Sequence, residues 1–162
     1  MTPFIVLVSV FLVLLGLRAL GVPALRARSW VFFLRWALAC MFLLTASAHW
    51  GSRRADLVLM VPPSLPNPEL LVTISGVAEV VGALGLLLPR TAPYAAAGLS
   101  LLLLAVFPAN VHAARAALSI GGEPVTPLVL RAPLQVVFLM AVSIAGFWPL
   151  RRRARQAPPQ PA

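Results

Sequence analysis

Lysine is absent from this 162-residue chain, cysteine occurs once, and only four residues are acidic. Charged residues make up 10% of the sequence, against about 25% in an ordinary soluble domain. Hydrophobic residues make up 60%, and the mean hydropathy is +0.95. A soluble globular domain is excluded, and the length suits one integral membrane domain. The single thiol, Cys40, lies inside an apolar run, which excludes an intrachain disulfide, a Cys-x-x-Cys pair and a four-cysteine iron–sulfur site. Any redox chemistry that the chain serves therefore needs electrons carried by something else. There is no Walker-type glycine loop, dinucleotide fingerprint, His-Glu-x-x-His or Gly-x-Ser-x-Gly, so nucleotide use, zinc proteolysis and serine hydrolysis have no support.

The formal charge of +9 comes from 13 basic residues, all arginine. The missing lysine points to a GC-rich coding sequence rather than to a function. These arginines sit between or beside apolar runs, and no solvated basic domain exists to bind nucleic acid, so they read as topology signals.

Five apolar runs stand out, at residues 3–17, 31–48, 69–88, 93–110 and 133–150. In the first, positive charge follows the apolar stretch (Arg18, Arg26, Arg28) and no small-residue cleavage site appears, so it reads as an uncleaved anchor. The second carries Arg35 beside Trp36, a pair suited to the headgroup region, and ends in His49 and Trp50. Residues 51–68 form a connection whose four prolines, from Pro62 to Pro68, exclude a continuous helix through its second half. Its first half, residues 53–61, fits either a short surface helix or a plain loop. Pro108 is expected to break the fourth run near its end, and residues 111–132 read as a second connection. The chain then divides into residues 1–20 (an N-terminal crossing), 31–150 (a four-helix membrane domain) and 151–162 (a basic, proline-rich, disordered cytoplasmic tail). With the N-terminus outside, nine arginines lie on the inner side (among them Arg35, Arg90, Arg151, Arg152 and Arg153) and four on the outer. The positive-inside rule therefore favours N-out and C-in.

The sharpest candidate residue is Glu79, the one carboxylate near the middle of the third run. Nine residues from Leu70 places it roughly 14 Å into a roughly 30 Å core, near the midplane. A carboxylate there faces protein or a wet cavity, or stays protonated. Val72, Ser75, Gly76, Gly82, Ala83 and Leu86 share its face by helical spacing, and their mostly small side chains suit close packing. Glu79 could exchange a proton for quinone chemistry or a proton path, or lock helices together through a hydrogen bond. His49, Asn110 and His112 fall on the same, outer side by this topology. Converging histidines could bind haem or a metal or hydrogen-bond a quinone carbonyl, but two histidines without a thiol or carboxylate set make haem unfavoured and give no metal site. Asn110, just after Pro108, is placed to cap a carbonyl that the proline leaves free. Gln135 reaches Glu79's surroundings only if the fifth run packs against the third. The arginines from Arg151 onward serve as the stop signal of the last helix, or contact anionic lipid.

Several segments together resemble the DoxX family of small bacterial membrane proteins: RWALACMFLLTASAHW (residues 35–50), DLVLMVPPSLPNPELLVTISGVAEVVGALGLLLP (56–89), AAAGLSLLLLAVFPANVHAA (95–114) and LRAPLQVVFLMA (130–141). The proline-rich loop entering the Glu-bearing helix and the Phe107-Pro108-Ala109-Asn110 turn are its most specific features. The resemblance implies an all-α, DoxX-like four-helix transmembrane bundle in the bacterial inner (plasma) membrane, with residues 3–17 as an additional crossing. It also implies association with a quinone-linked oxidoreductase, which makes quinone the cofactor to expect and membrane-bound oxidoreductase subunits and lipids the partners. The function expected is that of an accessory subunit, not an enzyme on its own; no residue is identifiable as catalytic. The alternatives are a non-enzymatic membrane anchor and, least supported for want of an inverted repeat or a cationic partner for Glu79, a small-solute or proton carrier.

Overall fold

The structure, a computed structural model, describes residues 1–156, with side chains described through Trp148. Seven helices and one short hairpin make up these residues. They are α1 (Thr2–Ala19), α2 (Pro23–Arg26), α3 (Trp30–Ser47), α4 (Arg54–Met60), α5 (Pro68–Leu87), α6 (Ala92–Arg115), β1 (Ser119–Ile120), β2 (Glu123–Pro124) and α7 (Leu128–Gln156). Five of the helices, α1, α3, α5, α6 and α7, are long and apolar enough to cross a membrane. The protein is an all-α membrane protein.

Helices α3, α5, α6 and α7 each pack on the next, and α7 returns to α3, closing a four-helix bundle. α1 lies outside it against α3 and buries only Leu7. Hydrocarbon does not drive apolar helices together, so close backbone approach at small residues has to supply the contact. Ala37, Ala83, Ala92, Ala96 and Ala145 are fully buried at these seams, around a core of Phe33, Leu38, Phe42, Leu86, Leu99 and Val142. At the tightest crossing, Gly146 of α7 lies over Ala96 of α6, where a Cβ would overlap the alanine methyl and come within 3.2 Å of the Ala92 carbonyl oxygen.

One end of the bundle is capped. At this end Pro68 opens α5 at a position where a missing N–H costs nothing; at the other, Ser29 caps the start of α3. Between α3 and α5, residues 54–60 form the short helix of the two readings open for that stretch. The hairpin docks on it, because the Gly121 N–H donates to Asp56 Oδ2 at 2.7 Å. Gly121 and Gly122, with φ of +62° and +81°, supply the left-handed turn that joins β1 to β2.

Three expectations need correction. Pro108 does not end its helix: α6 continues to Arg115. Pro108 removes only the bond to the Leu104 carbonyl, and the Gln135 side-chain amide of α7 supports the neighbouring Leu103 carbonyl. The second connection is correspondingly shorter, since α7 begins at Leu128, before Pro133. The tail expected from residue 151 is helical through Gln156 as the end of α7; residues 157–162 lie outside the described residues.

The crossing at Gly146 gives a direct check. Gly146→Val should destabilise the bundle by about 1–3 kcal/mol, as overpacking does, and lower the thermal unfolding temperature in detergent. Gly98→Val, at a position with nothing within 4 Å of its Cβ, should leave it near wild type.

Candidate functional site

Glu79 faces the bundle on the helix face that spacing indicates, with Val72, Gly76, Gly82, Ala83 and Leu86 buried beside it. α5 starts well beyond the end of α3, and its Gly76 passes His49, where a Cβ would come within 2.7 Å of the histidine Cβ. Glu79, one turn further along α5, is therefore level with the last turn of α3, which ends at Ser47. It is mid-helix in α5, and α6, which meets α5 at Gly82–Leu99 and Gly85–Ala95, runs on to Arg115, so of these three helices only α3 ends near its level. Counting residues along α5 alone misses this because the two helices are offset along their axes.

Glu79 Oε2 is buried and has no hydrogen-bond partner. It lies 3.9 Å from His49 Nδ1, beyond hydrogen-bonding distance, and the two side chains are 16% and 11% exposed. His49 Nδ1 is 3.2 Å from the Thr45 carbonyl oxygen. A carbonyl only accepts, so Nδ1 carries the proton in this contact and Nε2 keeps the lone pair of a neutral ring. The Thr45 hydroxyl, which neighbours the Glu79 carboxyl, donates to the Phe42 carbonyl at 3.0 Å. The Thr45 hydroxyl is also within hydrogen-bonding reach of the carboxyl, and it is Oε2 that is left without a partner, to accept from, or hold, a proton of its own.

Arg54 ties this region together. Its Nη1 donates to the His49 carbonyl at 2.9 Å, and its Nη2 donates to the Glu69 carbonyl at 3.2 Å and the Thr73 hydroxyl at 3.0 Å. One guanidinium therefore joins the end of α3, α4 and the first turns of α5. Burial lowers the His49 pKa from the ordinary 6.5; the Thr45 and Ala46 carbonyls oppose this and the Arg54 charge adds to it.

The other expected residues do not join the pair. Asn110 Oδ1 accepts from Arg131 Nη1 at 2.6 Å, so its amide serves an arginine and not a carbonyl freed by Pro108. The second bond of that arginine, Nε to the Thr126 carbonyl, is 2.9 Å. His112 is half-buried on α6, and no hydrogen bond links it to His49 or Glu79 among the described residues. Gln135 sits on α7, which packs on α6 and α3, and bonds α6 instead of approaching Glu79. Among the described residues no three potential metal ligands converge. Arg35 is the clearest departure: it lies in the seam between α3 and α7, and its Nε donates to the Ala145 carbonyl of α7 at 2.8 Å while Trp36 is the exposed member of the pair. Arg90 is exposed; Arg151, Arg152 and Arg153 continue α7, and their side chains lie outside the description. Arg54, Thr45 and Thr73 were not among the residues expected. The signal available for Arg54 was its position at the start of a short helix beside the proline-rich connection.

Residues 38–145 match a family model described as a domain of unknown function, DUF8561. No curated protein and no solved structure matches the chain.

The burial of His49 predicts a pH dependence. A histidine whose pKa is lowered by folding binds its proton more readily in the unfolded chain, so stability is fully present above pH 6.5 and is lost as the pH falls through the lowered folded value. Thermal unfolding in detergent from pH 8 down to pH 5 should show the loss, with a slope from this one proton of at most about 1.4 kcal/mol per pH unit. The difference should vanish in His49→Gln.

Proposed function

We propose the following for a chain that belongs to the DUF8561 family: it is a DoxX-like membrane subunit that binds a quinone headgroup at the Glu79–His49 pair and serves a quinone-linked oxidoreductase. The observation that carries this is the Glu79 Oε2 atom, buried without a partner 3.9 Å from a histidine nitrogen, beside the last turn of α3. An unpartnered buried carboxylate oxygen costs free energy unless something hydrogen-bonds to it, and such residues cluster at functional sites.

A quinone would supply two-electron, two-proton chemistry, the electrons belonging to the partner oxidoreductase. Glu79 Oε2 accepts a hydrogen bond or holds a proton. His49 borders it with a ring whose Nδ1–H is anchored on Thr45 and whose Nε2 is a second acceptor. Arg54 holds the His49 backbone and the start of α5 in place, so the two side chains keep their register. Gly76 supplies the close helix passage that brings them together. The arginine distribution supports placing the capped end outside and the C-terminus inside a bacterial plasma membrane.

A membrane anchor for a partner protein is the second reading. It draws on α1, whose Ile5, Leu12 and Val13 are each 58% exposed and which no second helix of the bundle covers. Mass spectrometry of organic extracts from purified wild type and Glu79→Gln separates the two readings. Quinone enriched with wild type and lost from a folded Glu79→Gln protein supports the quinone site. Only bulk phospholipid in both samples refutes it and favours the anchor.

A further inference from the structure

Arg35 carries a charge that nothing in its part of the chain balances. It is 9% exposed, in the seam between α3 and α7, and its Nε is fixed on the Ala145 carbonyl at 2.8 Å. No other Arg35 nitrogen has a partner among the described residues, and none belongs to the fully enclosed polar atoms that lack one. The terminal nitrogens therefore keep contact with their surroundings. The four acidic side chains of the chain are Asp56, Glu69, Glu79 and Glu123, and none occurs in residues 1–55 or 124–162, which include all of α1, α3 and α7. Three of them stand at the capped end, and Glu79 is level with the last turn of α3, whereas Arg35 is in its second turn.

We propose that Arg35 is the anion-binding residue of a phospholipid site in the α3–α7 seam, taking the phosphate of an anionic phospholipid. A guanidinium held by Nε presents its outer nitrogens as a planar fork that matches two phosphate oxygens. Five residues from Trp30, it lies about 7.5 Å into α3, within reach of headgroups. Tryptophans mark that depth: Trp30 meets Trp148 edge-on with ring centroids 5.7 Å apart, and Trp36 is exposed. Ile144, Phe147 and Trp148, exposed along α7 beside Ala145, offer an apolar surface for the acyl chains. The neighbouring cation, Arg28, lies 4.9 Å over the Phe32 ring at the start of α3, and Arg26 and Arg28 add to the positive field at this end. The apolar surroundings favour a phosphate that arrives with its own acyl chains over a free ion, which would have to shed its water.

The test uses the full chain in phosphatidylcholine vesicles containing a fixed fraction of phosphatidylglycerol, with bromine on the acyl chains of one lipid or the other, read by quenching of tryptophan emission. Bromine on phosphatidylglycerol should quench wild type more strongly than the same fraction on phosphatidylcholine, giving a preference of at least about fivefold. Arg35→Gln should lose this preference, and Arg90→Gln, at the same end but exposed, should keep it. Equal quenching by both lipids in wild type, or a preference that survives in Arg35→Gln, overturns the proposal. Equal loss in Arg90→Gln also overturns it, because the field of the whole end would then be responsible. Arg35→Lys covers the case in which the glutamine variant does not fold: it keeps the charge without the fork and should retain only part of the preference, and an unchanged preference rejects the fork. Excess inorganic phosphate should leave wild-type quenching unaltered; competition by phosphate would replace the lipid with a free anion and overturn the assignment.

Discussion

The close passage of α5 across the end of α3, at Gly76 against His49, sets the position of the polar groups in the half of this protein that carries α4 and the hairpin. Without a side chain at residue 76 the two backbones come near enough for the next turn of α5 to present Glu79 to His49. Arg54 then bonds the His49 and Glu69 carbonyls and the Thr73 hydroxyl, holding both helices in that offset. A larger side chain at position 76 would move α5 outward, and the carboxyl would lose its neighbour before it lost its burial. Packing and chemistry therefore meet at one contact between small groups, as expected in hydrocarbon, where close approach of backbones does much of the holding.

The charges are divided along the bundle axis. Asp56, Glu69 and Glu123 gather at the capped end with Arg53, Arg54, Arg115 and Arg131, and the other nine arginines have no acidic side chain near them in sequence. At the capped end the charges are used in bonds that connect elements: Asp56 to the hairpin, Arg54 to α3 and α5, Arg131 to Asn110. Even there, the hydrogen-bond partners of Arg54 and Arg131 are carbonyls, a hydroxyl and an amide, so these cations act as multi-donor clamps more than as halves of ion pairs. At the other end the positive field is uncompensated by side chains, which matches the bias that orients helices in a bilayer.

Much of the fold was legible in the sequence because membrane constraints are strong and local. Five crossings follow from run length and hydropathy, and the inward face of α5 follows from helical spacing around Glu79. What was not legible depends on partners distant in sequence. Arg35 beside Trp36 looks like an interface pair, and only the position of α7 shows that a carbonyl 110 residues away receives it. Pro108 looks like a helix end, but one missing donor is a small loss once α6 is held on both sides and Gln135 reaches the adjacent carbonyl. Asn110 was expected at a carbonyl and is found at Arg131 for the same reason. His49 and Glu79 were each visible as candidates, but their approach depends on the axial offset of α3 and α5, which no periodicity encodes.

Glu79 and His49, 3.9 Å apart, form one polar unit. Infrared difference spectroscopy of the protein in lipid nanodiscs, recorded as the pH is stepped, tests it through the carboxyl C=O band of Glu79. The expected result is a band that disappears in Glu79→Gln and shifts in frequency in His49→Gln, because the ring borders the carboxyl. A Glu79 band that is unmoved when His49 is replaced would contradict it, since the two side chains would then not sense each other.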